Sequence, residues 1–184
     1  MSSHHIVRDN QEPALVILDT AAALEDYVQQ LLEWSPTVMV AEPMIPEVLT
    51  WGIKIDVAIV SPASLQVYEE LLHGQAPVKL LASEPGEEAA AALHFLKAAN
   101  YKSVNVLGGS LRSMELLAQT LDVVVFINGT RWAFIRKGHY EKWLPAASHL
   151  ELHPPGDQPG FITTTDGVVT IHRDHPFWIG EKNS

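Results

Sequence analysis

The 184-residue chain contains no cysteine. That excludes a disulfide framework and thiolate chemistry, and it fits a reducing compartment. Positive charge is scarce: 12 lysines and arginines stand against 22 acids, a formal net charge of -10. A nucleic-acid surface or an anionic membrane surface needs clustered positive charge, so neither partner is expected. No apolar run approaches the roughly 18 residues a transmembrane helix requires, and Met1 to Gln11 is polar with no apolar signal core. A soluble cytoplasmic protein is the expectation. There is no Walker motif and no His-Glu-x-x-His pattern, and Gly108-Gly109 is too short for a dinucleotide fingerprint.

What is present is a chain with 47% hydrophobic residues, enough to build a core in one ordinary domain or two small ones. Its organising stretch is Trp51 to Ser64. Ile55, Val57, Ile59 and Val60 form a β-branched run, and Ser61-Pro62 then stops it. Serine suits an N-cap and proline a first helical turn, so the pattern predicts a buried strand that delivers a loop and a helix start. In an open α/β sheet, ligands bind at the carboxyl ends of strands, where free helix N–H groups can receive phosphate.

The same alternation recurs through the first part of the chain. Strands are predicted at Ala14–Leu18, Thr37–Ala41, Val78–Leu81 and Val104–Leu107. Helical spacing appears from Leu24 to Trp34, from about Pro62 to His73 with Gly74 as the stop, from Glu87 to Ala99, and after Gly109 up to Thr120. Asn100 is a predicted C-terminal cap, and Asp19-Thr20 can cap the first helix. Strands and helices in this order imply parallel β-α-β crossovers with both faces of the sheet covered.

The character changes near Leu121. Val123–Ile127, Asn128-Gly129 and Trp132–Ile135 have the form of a β-hairpin with a type I′ turn, and Thr163–Thr165, Asp166-Gly167 and Val168–Ile171 repeat the pattern. With Ser148–His153 and Phe177–Ile179 also strand-like, the expected organisation is a parallel-sheet α/β domain over residues 1–121 and a small antiparallel β domain over 122–184.

Gly52 to Ser64 resembles the thiamine pyrophosphokinase segment G-I-x-P-D-x-I-I-G-D-x-D-S. Tyr101–Gly109 is similar to that family's Y-K-x-I-x-I-L-G, Lys137–Tyr140 to its P-G-x-H, and Ser148–His153 to its I-S-L-I-P-L. The family transfers a diphosphoryl group from ATP to thiamine, with Mg²⁺ held by the aspartates of the first motif, and joins an α/β half to a β half. At those acidic positions this chain carries Ser61 and Ala63, with Val60 at the glycine. Glu42, within Val40–Met44, stands in the family's A-D-G-G loop, and Glu88 at the aspartate of K-T-D-x-x-K-A. Arg112 matches the arginine of G-G-R-x-D-H, whose Asp and His are replaced by Met114 and Glu115.

The resemblance therefore implies Glu42 and Glu88 as the remaining catalytic carboxylates. It implies Ser61, Ser64 and Arg112 as substrate- or phosphate-binding residues, a thiamine- or nucleotide-like ligand, and a homodimer. Other readings of the same residues are an acidic first helical turn for Glu87 and Glu88 and an exposed helix arginine for Arg112. So few carboxylates do not make an octahedral oxygen site, and a degenerate active site with a binding or structural role is expected. Mg²⁺ and ATP are cofactors only if the enzyme is active.

Nine histidines are present, but their spacing does not make a metal site. His149 and His153 share a strand face at a distance, and His172 and His175 point to opposite faces if the strand continues. Trp132, Trp143 and Trp178, with Phe134 and Phe177, fill a core, line a subunit interface or form an aromatic ligand cleft. Core packing is the reading favoured by residue type. In the resembled family, thiamine binds where carboxyl units meet in the dimer.

Overall fold

The computed structural model describes residues 12–19, 25–156 and 159–182. Its strands are β1 (Ala14–Ile17), β2 (Val38–Ala41), β3 (Val57–Val60), β4 (Lys79–Ala82), β5 (Ser103–Leu107), β6 (Asp122–Ile127), β7 (Thr130–Ile135), β8 (His139–Leu144), β9 (His149–His153), β10 (Gly160–Ile162), β11 (Gly167–His172) and β12 (Phe177–Lys182). Its α-helices are α1 (Glu25–Leu32), α2 (Ile45–Thr50), α3 (Leu65–Leu71), α4 (Glu88–Ala98) and α5 (Leu111–Ala118).

Ten strands form one sheet in the order β10-β9-β12-β7-β6-β5-β1-β2-β3-β4, and β11 pairs with β8 in a second sheet. The six strands from β6 to β4 in that order are mutually parallel. This is the expected α/β amino-terminal half, followed by an antiparallel β half. The sheet runs without a break past Leu121: β6 lies parallel to β5 on one edge and forms a hairpin with β7 on the other.

Side-chain alternation along the parallel strands divides the core. One face presents Val16, Met39, Ile59, Val106 and Val125 to Leu93 and Leu96 of α4 and to Met114 and Leu117 of α5. The opposite face presents Leu15, Ile17, Val40, Ala58 and Val60 to Val28 of α1, to Ile45 and Val48 of α2, and to Leu65 and Tyr68 of α3. Both layers are needed because strands apolar on both faces must be covered twice. A third cluster, Tyr140, Leu144, Leu150, Leu152, Phe177 and Ile179, fills the space between the two sheets of the carboxyl half.

Several local expectations are met for their stated reasons. Asn128 and Gly129 have φ of 52° and 74° and join Ile127 to Thr130, as a type I′ turn requires. Asn100 closes α4 with φ 64°. Other expectations are corrected. The helix after β3 is split into a 3-10 turn at Pro62–Ser64, α3, and a second 3-10 turn at His73–Gln75. Helix α2 occupies the segment before Trp51, for which the sequence pattern predicts no helix. Asp166-Gly167 does not make a hairpin, since β10 pairs with β9 and β11 with β8.

The reason lies at Thr163. Its hydroxyl donates to Pro145 O and accepts from Ser148 N, while Asp166 Oδ1 accepts from Ala146 N. The chain is thereby pinned to the 145–148 turn and passes from one sheet to the other. The capping role read for Asp19-Thr20 lies partly outside the described residues.

Candidate functional site

Strand β1 connects onward to β2 on one side of the sheet, while its other neighbour, β5, connects to β6 in the opposite direction. Beyond the carboxyl ends of such a pair the two chains diverge and leave a crevice. Here the crevice opens between Leu18-Asp19 and Gly108-Gly109. The amides of Leu18 and Asp19 both donate to Leu107 O, at 2.9 and 3.2 Å. Gly108 has φ +84°, and a Cβ there would collide with Asp19 Cβ, so the close approach of the two chain ends requires glycine.

A cleft of about 560 Å³ lies above this point, lined by Asp19, Pro43, Glu88, Gly109, Ser110 and Ser113 among others. A second cleft of about 320 Å³ adjoins it and shares Pro43 and Glu88. Its other walls include Glu42, Ser61, Tyr68 and Ser83. Both clefts therefore sit along the carboxyl edge of the parallel strands. Neither is lined by a lysine or arginine among the described residues.

Glu42 follows β2 and opens a 3-10 turn with Pro43 next to it. Ser61 follows β3 in extended conformation, φ -65° and ψ 150°. The amide of Ser61 donates to Glu42 Oε2 at 2.6 Å. Burial works to raise the Glu42 pKa, but hydrogen bonds from the Ser61 amide and from the Ser64 and Ser61 hydroxyls outweigh it and hold the carboxyl below its ordinary value. Tyr68, whose hydroxyl donates to Glu42 O at 3.4 Å, is shifted the other way, by burial first and then by the nearby Glu42 charge.

Ser61 occupies the cap position without performing the expected cap. Its side chain accepts no backbone hydrogen bond from the following turn; its hydroxyl lies 2.8 Å from that of Ser64 instead. The 3-10 turn closes through its own backbone, with Ser64 N donating to Ser61 O. The hydroxyls are thus turned to each other and to Glu42.

The five residues singled out in the sequence separate into two groups. Glu42, Ser61 and Ser64 form one hydrogen-bonded cluster, and Glu88, the first residue of α4, faces the same cleft as Glu42 and Ser61. Arg112 is exposed on α5 and lines neither cleft. Sequence reasoning did not include Asp19 in the site. The signal available was a carboxylate directly after the first strand, facing a Gly-Gly pair after the fifth.

The donor set bears on the Mg²⁺ that the sequence resemblance implies. Among the described residues no three His, Asp or Glu side chains converge as a metal set. Glu42 is engaged by an amide, and Ser61 and Ala63 supply no charge. Mg²⁺ demands near-ideal octahedral oxygen geometry, which these residues do not fit.

The aromatic cluster divides by position. Trp178 is fully buried, 4.9 Å from the Phe134 ring. Trp143 is 59% exposed. Trp132 is half-buried and lines a broad cleft of about 620 Å³ with His149, His153 and Phe161. A neighbouring cleft of about 400 Å³ runs along Leu144 to Leu150 and includes Glu181, whose carboxylate accepts from Lys142 Nζ at 2.8 and 2.6 Å and from the Tyr140 hydroxyl.

No family model matches the chain, and no curated protein matches it. Solved structures do. A thiamine pyrophosphokinase from Bacillus subtilis superposes with TM-score 0.64 at 9% identity, covering 93% of this chain and 98% of that one. The Candida albicans thiamin pyrophosphokinase gives 0.61 at 11%, covering 93% and 90%. A probable thiamine pyrophosphokinase from Staphylococcus saprophyticus gives 0.58 at 10%, covering 94% and 100%. No described helix is long and apolar enough to cross a membrane. With a divided parallel sheet, a crevice at its switch point and an antiparallel carboxyl half, the chain has the fold of the thiamine pyrophosphokinases.

Proposed function

We propose that this is a thiamine pyrophosphokinase-like protein whose diphosphotransfer site has degenerated and which keeps a binding or structural role, as a cytoplasmic homodimer. The observation that carries the reading is the hydrogen bond from Ser61 N to Glu42 Oε2. A backbone donor at the carboxyl end of β3, where an anionic ligand would be received, is satisfied within the protein by a carboxylate. The same carboxylate is thereby less available to a cation. Diphosphoryl transfer needs charge on several phosphate oxygens neutralised, by divalent cations and by basic side chains. Among the described residues no lysine or arginine lines the clefts and no three acids converge there. A ligand suited to them is a neutral or weakly charged small molecule, of thiamine- or nucleoside-like size, rather than a polyphosphate.

An active enzyme with an unusual site is the second reading, favoured by Glu42 and Glu88 on one cleft and by Asp19 on the adjoining one. The two separate on one assay: purified protein with thiamine, ATP and Mg²⁺, followed for thiamine diphosphate and AMP. No product above the protein-free control is expected. Product that disappears in Glu88→Ala, a change leaving the Glu42 cluster intact, would overturn the degenerate reading.

A further inference from the structure

The two-stranded sheet has a free face. Along it, cross-strand pairs place His139 beside His172, Glu141 beside Thr170, and Trp143 beside Val168. All six residues are exposed, while the opposite face packs Tyr140, Leu144, Val169 and Ile171 into the core between the sheets. The register of β8 and β11 is therefore held from below, and that register sets the two histidines side by side on top.

The two imidazoles are stacked, with ring centroids 4.4 Å apart and planes inclined by 30°. Their Nδ1 atoms are 3.2 Å apart. Two histidine nitrogens, each about 2.0–2.1 Å from one tetrahedral zinc ion, are separated by roughly 3.3–3.4 Å, close to the spacing already present. The remaining nitrogen of His139, Nε2, lies 3.9 Å from Glu141 Oε2, beyond hydrogen-bond distance but within reach of a small rotation of either exposed side chain. A carboxylate on the far nitrogen is the usual partner of a metal-bound histidine, since it fixes the tautomer and raises the basicity of the ligating atom. Unbound, the pair is a hydrogen bond in which one Nδ1–H donates to the other Nδ1.

We infer that His139 and His172 form a two-histidine site for a borderline divalent transition metal of the Zn²⁺ or Co²⁺ type, with solvent completing its coordination. On binding, the proton between the rings moves to an Nε2, leaving both Nδ1 lone pairs for the metal and the Nε2–H of His139 directed at Glu141. No net proton is released when both rings start neutral. Imidazole favours such metals over Mg²⁺, so the site is chemically distinct from the carboxylate clefts at the carboxyl ends of the parallel strands.

The test is Co²⁺ titration, followed by its visible absorption, and Zn²⁺ titration by calorimetry. Both use the full chain carrying His4→Ala and His5→Ala, which removes two adjacent imidazoles that would compete. One saturable site per chain is expected, abolished by His139→Ala and by His172→Ala. Glu141→Gln should weaken it about 10-fold. Circular dichroism checks that each variant folds; His172→Gln serves where an alanine variant does not. Absence of saturable binding, or binding unchanged in the folded histidine variants, would overturn the inference.

Discussion

Glu42 and Ser61 lie 19 positions apart in sequence and on different strand ends, yet the Ser61 amide donates to the Glu42 carboxylate at 2.6 Å. The contact ties the loop after β2 to the loop after β3, and it gives the carboxylate a preference for its charged form. Since the folded-state pKa of Glu42 lies below the ordinary 4.5, its contribution to stability is complete well above that value. It is lost as pH falls through the lowered folded value. Glu42→Gln should cost about 1 kcal/mol at pH 7, below the roughly 1.5–3 kcal/mol of a hydrogen bond to a charged group because the residue is partly exposed. The gap between parent and variant should close on acidification. Urea denaturation at pH 7 and at successive steps below 4.5 measures it, and a gap independent of pH would contradict the assignment.

Gly108 provides a separate test of the crevice between β1 and β5. Gly108→Ala combines positive φ with a collision against Asp19, and should destabilise by roughly 2–4 kcal/mol. Gly86→Ala, also at positive φ but with nothing within 4 Å of the added carbon, should cost only the backbone strain of about 1–2 kcal/mol. Equal melting temperatures for the two variants would show that the chain ends do not approach as closely as described.

The aromatic residues of the carboxyl half behave in opposite ways. Trp178 is fully buried on β12 within the core cluster that includes α4 and α5, so Trp178→Ala should remove about 3–5 kcal/mol. Trp143→Ser, on the free face of β8, should change monomer stability by no more than about 0.5 kcal/mol. If that face takes part in the proposed homodimer, light scattering will show the Trp143→Ser protein shifted toward monomer, and an unshifted equilibrium places the dimer contact elsewhere.

These residues also mark what was legible beforehand. The parallel half was readable because each strand is a short apolar run and each crossover carries its own period, which no long-range contact needs to supply. Asn128-Gly129 was readable because the turn chemistry is local. Asp166-Gly167 misled for the same reason: an equally good local signal was overridden by the distant anchoring of Thr163 to Pro145 and Ser148.

Within the site, the placement of Glu42 near Ser61 followed from resemblance. The missing cap did not, because the competing acceptor comes from another strand end. His139 and His172 are 33 positions apart, and only the register of β8 with β11 brings them together. Neither residue's local spacing carries that information.

Restoring acids to the loop after β3 tests whether the surrounding frame survives. Val60 should be left alone, since it is 1% exposed and part of the core, so the informative variant is Ser61→Asp with Ala63→Asp. The added carboxylate at position 61 begins at an amide that already touches Glu42, so two negative charges are brought close and each disfavours ionisation of the other. Without metal the variant should be less stable than the parent at pH 7, and the deficit should shrink as pH falls and the new repulsion is removed by protonation. Mg²⁺ relieves the same repulsion, so it should raise the melting temperature of the variant while leaving the parent nearly unchanged. Saturation at 100-fold over the dissociation constant corresponds to about 2.7 kcal/mol, readily seen in a thermal scan. Titration calorimetry of Mg²⁺ against both proteins completes the comparison. Appreciable and equal affinity in the two would mean that the parent site is intact, and no affinity in either would mean that the loops around Glu42 and Glu88 no longer hold the positions a cation needs.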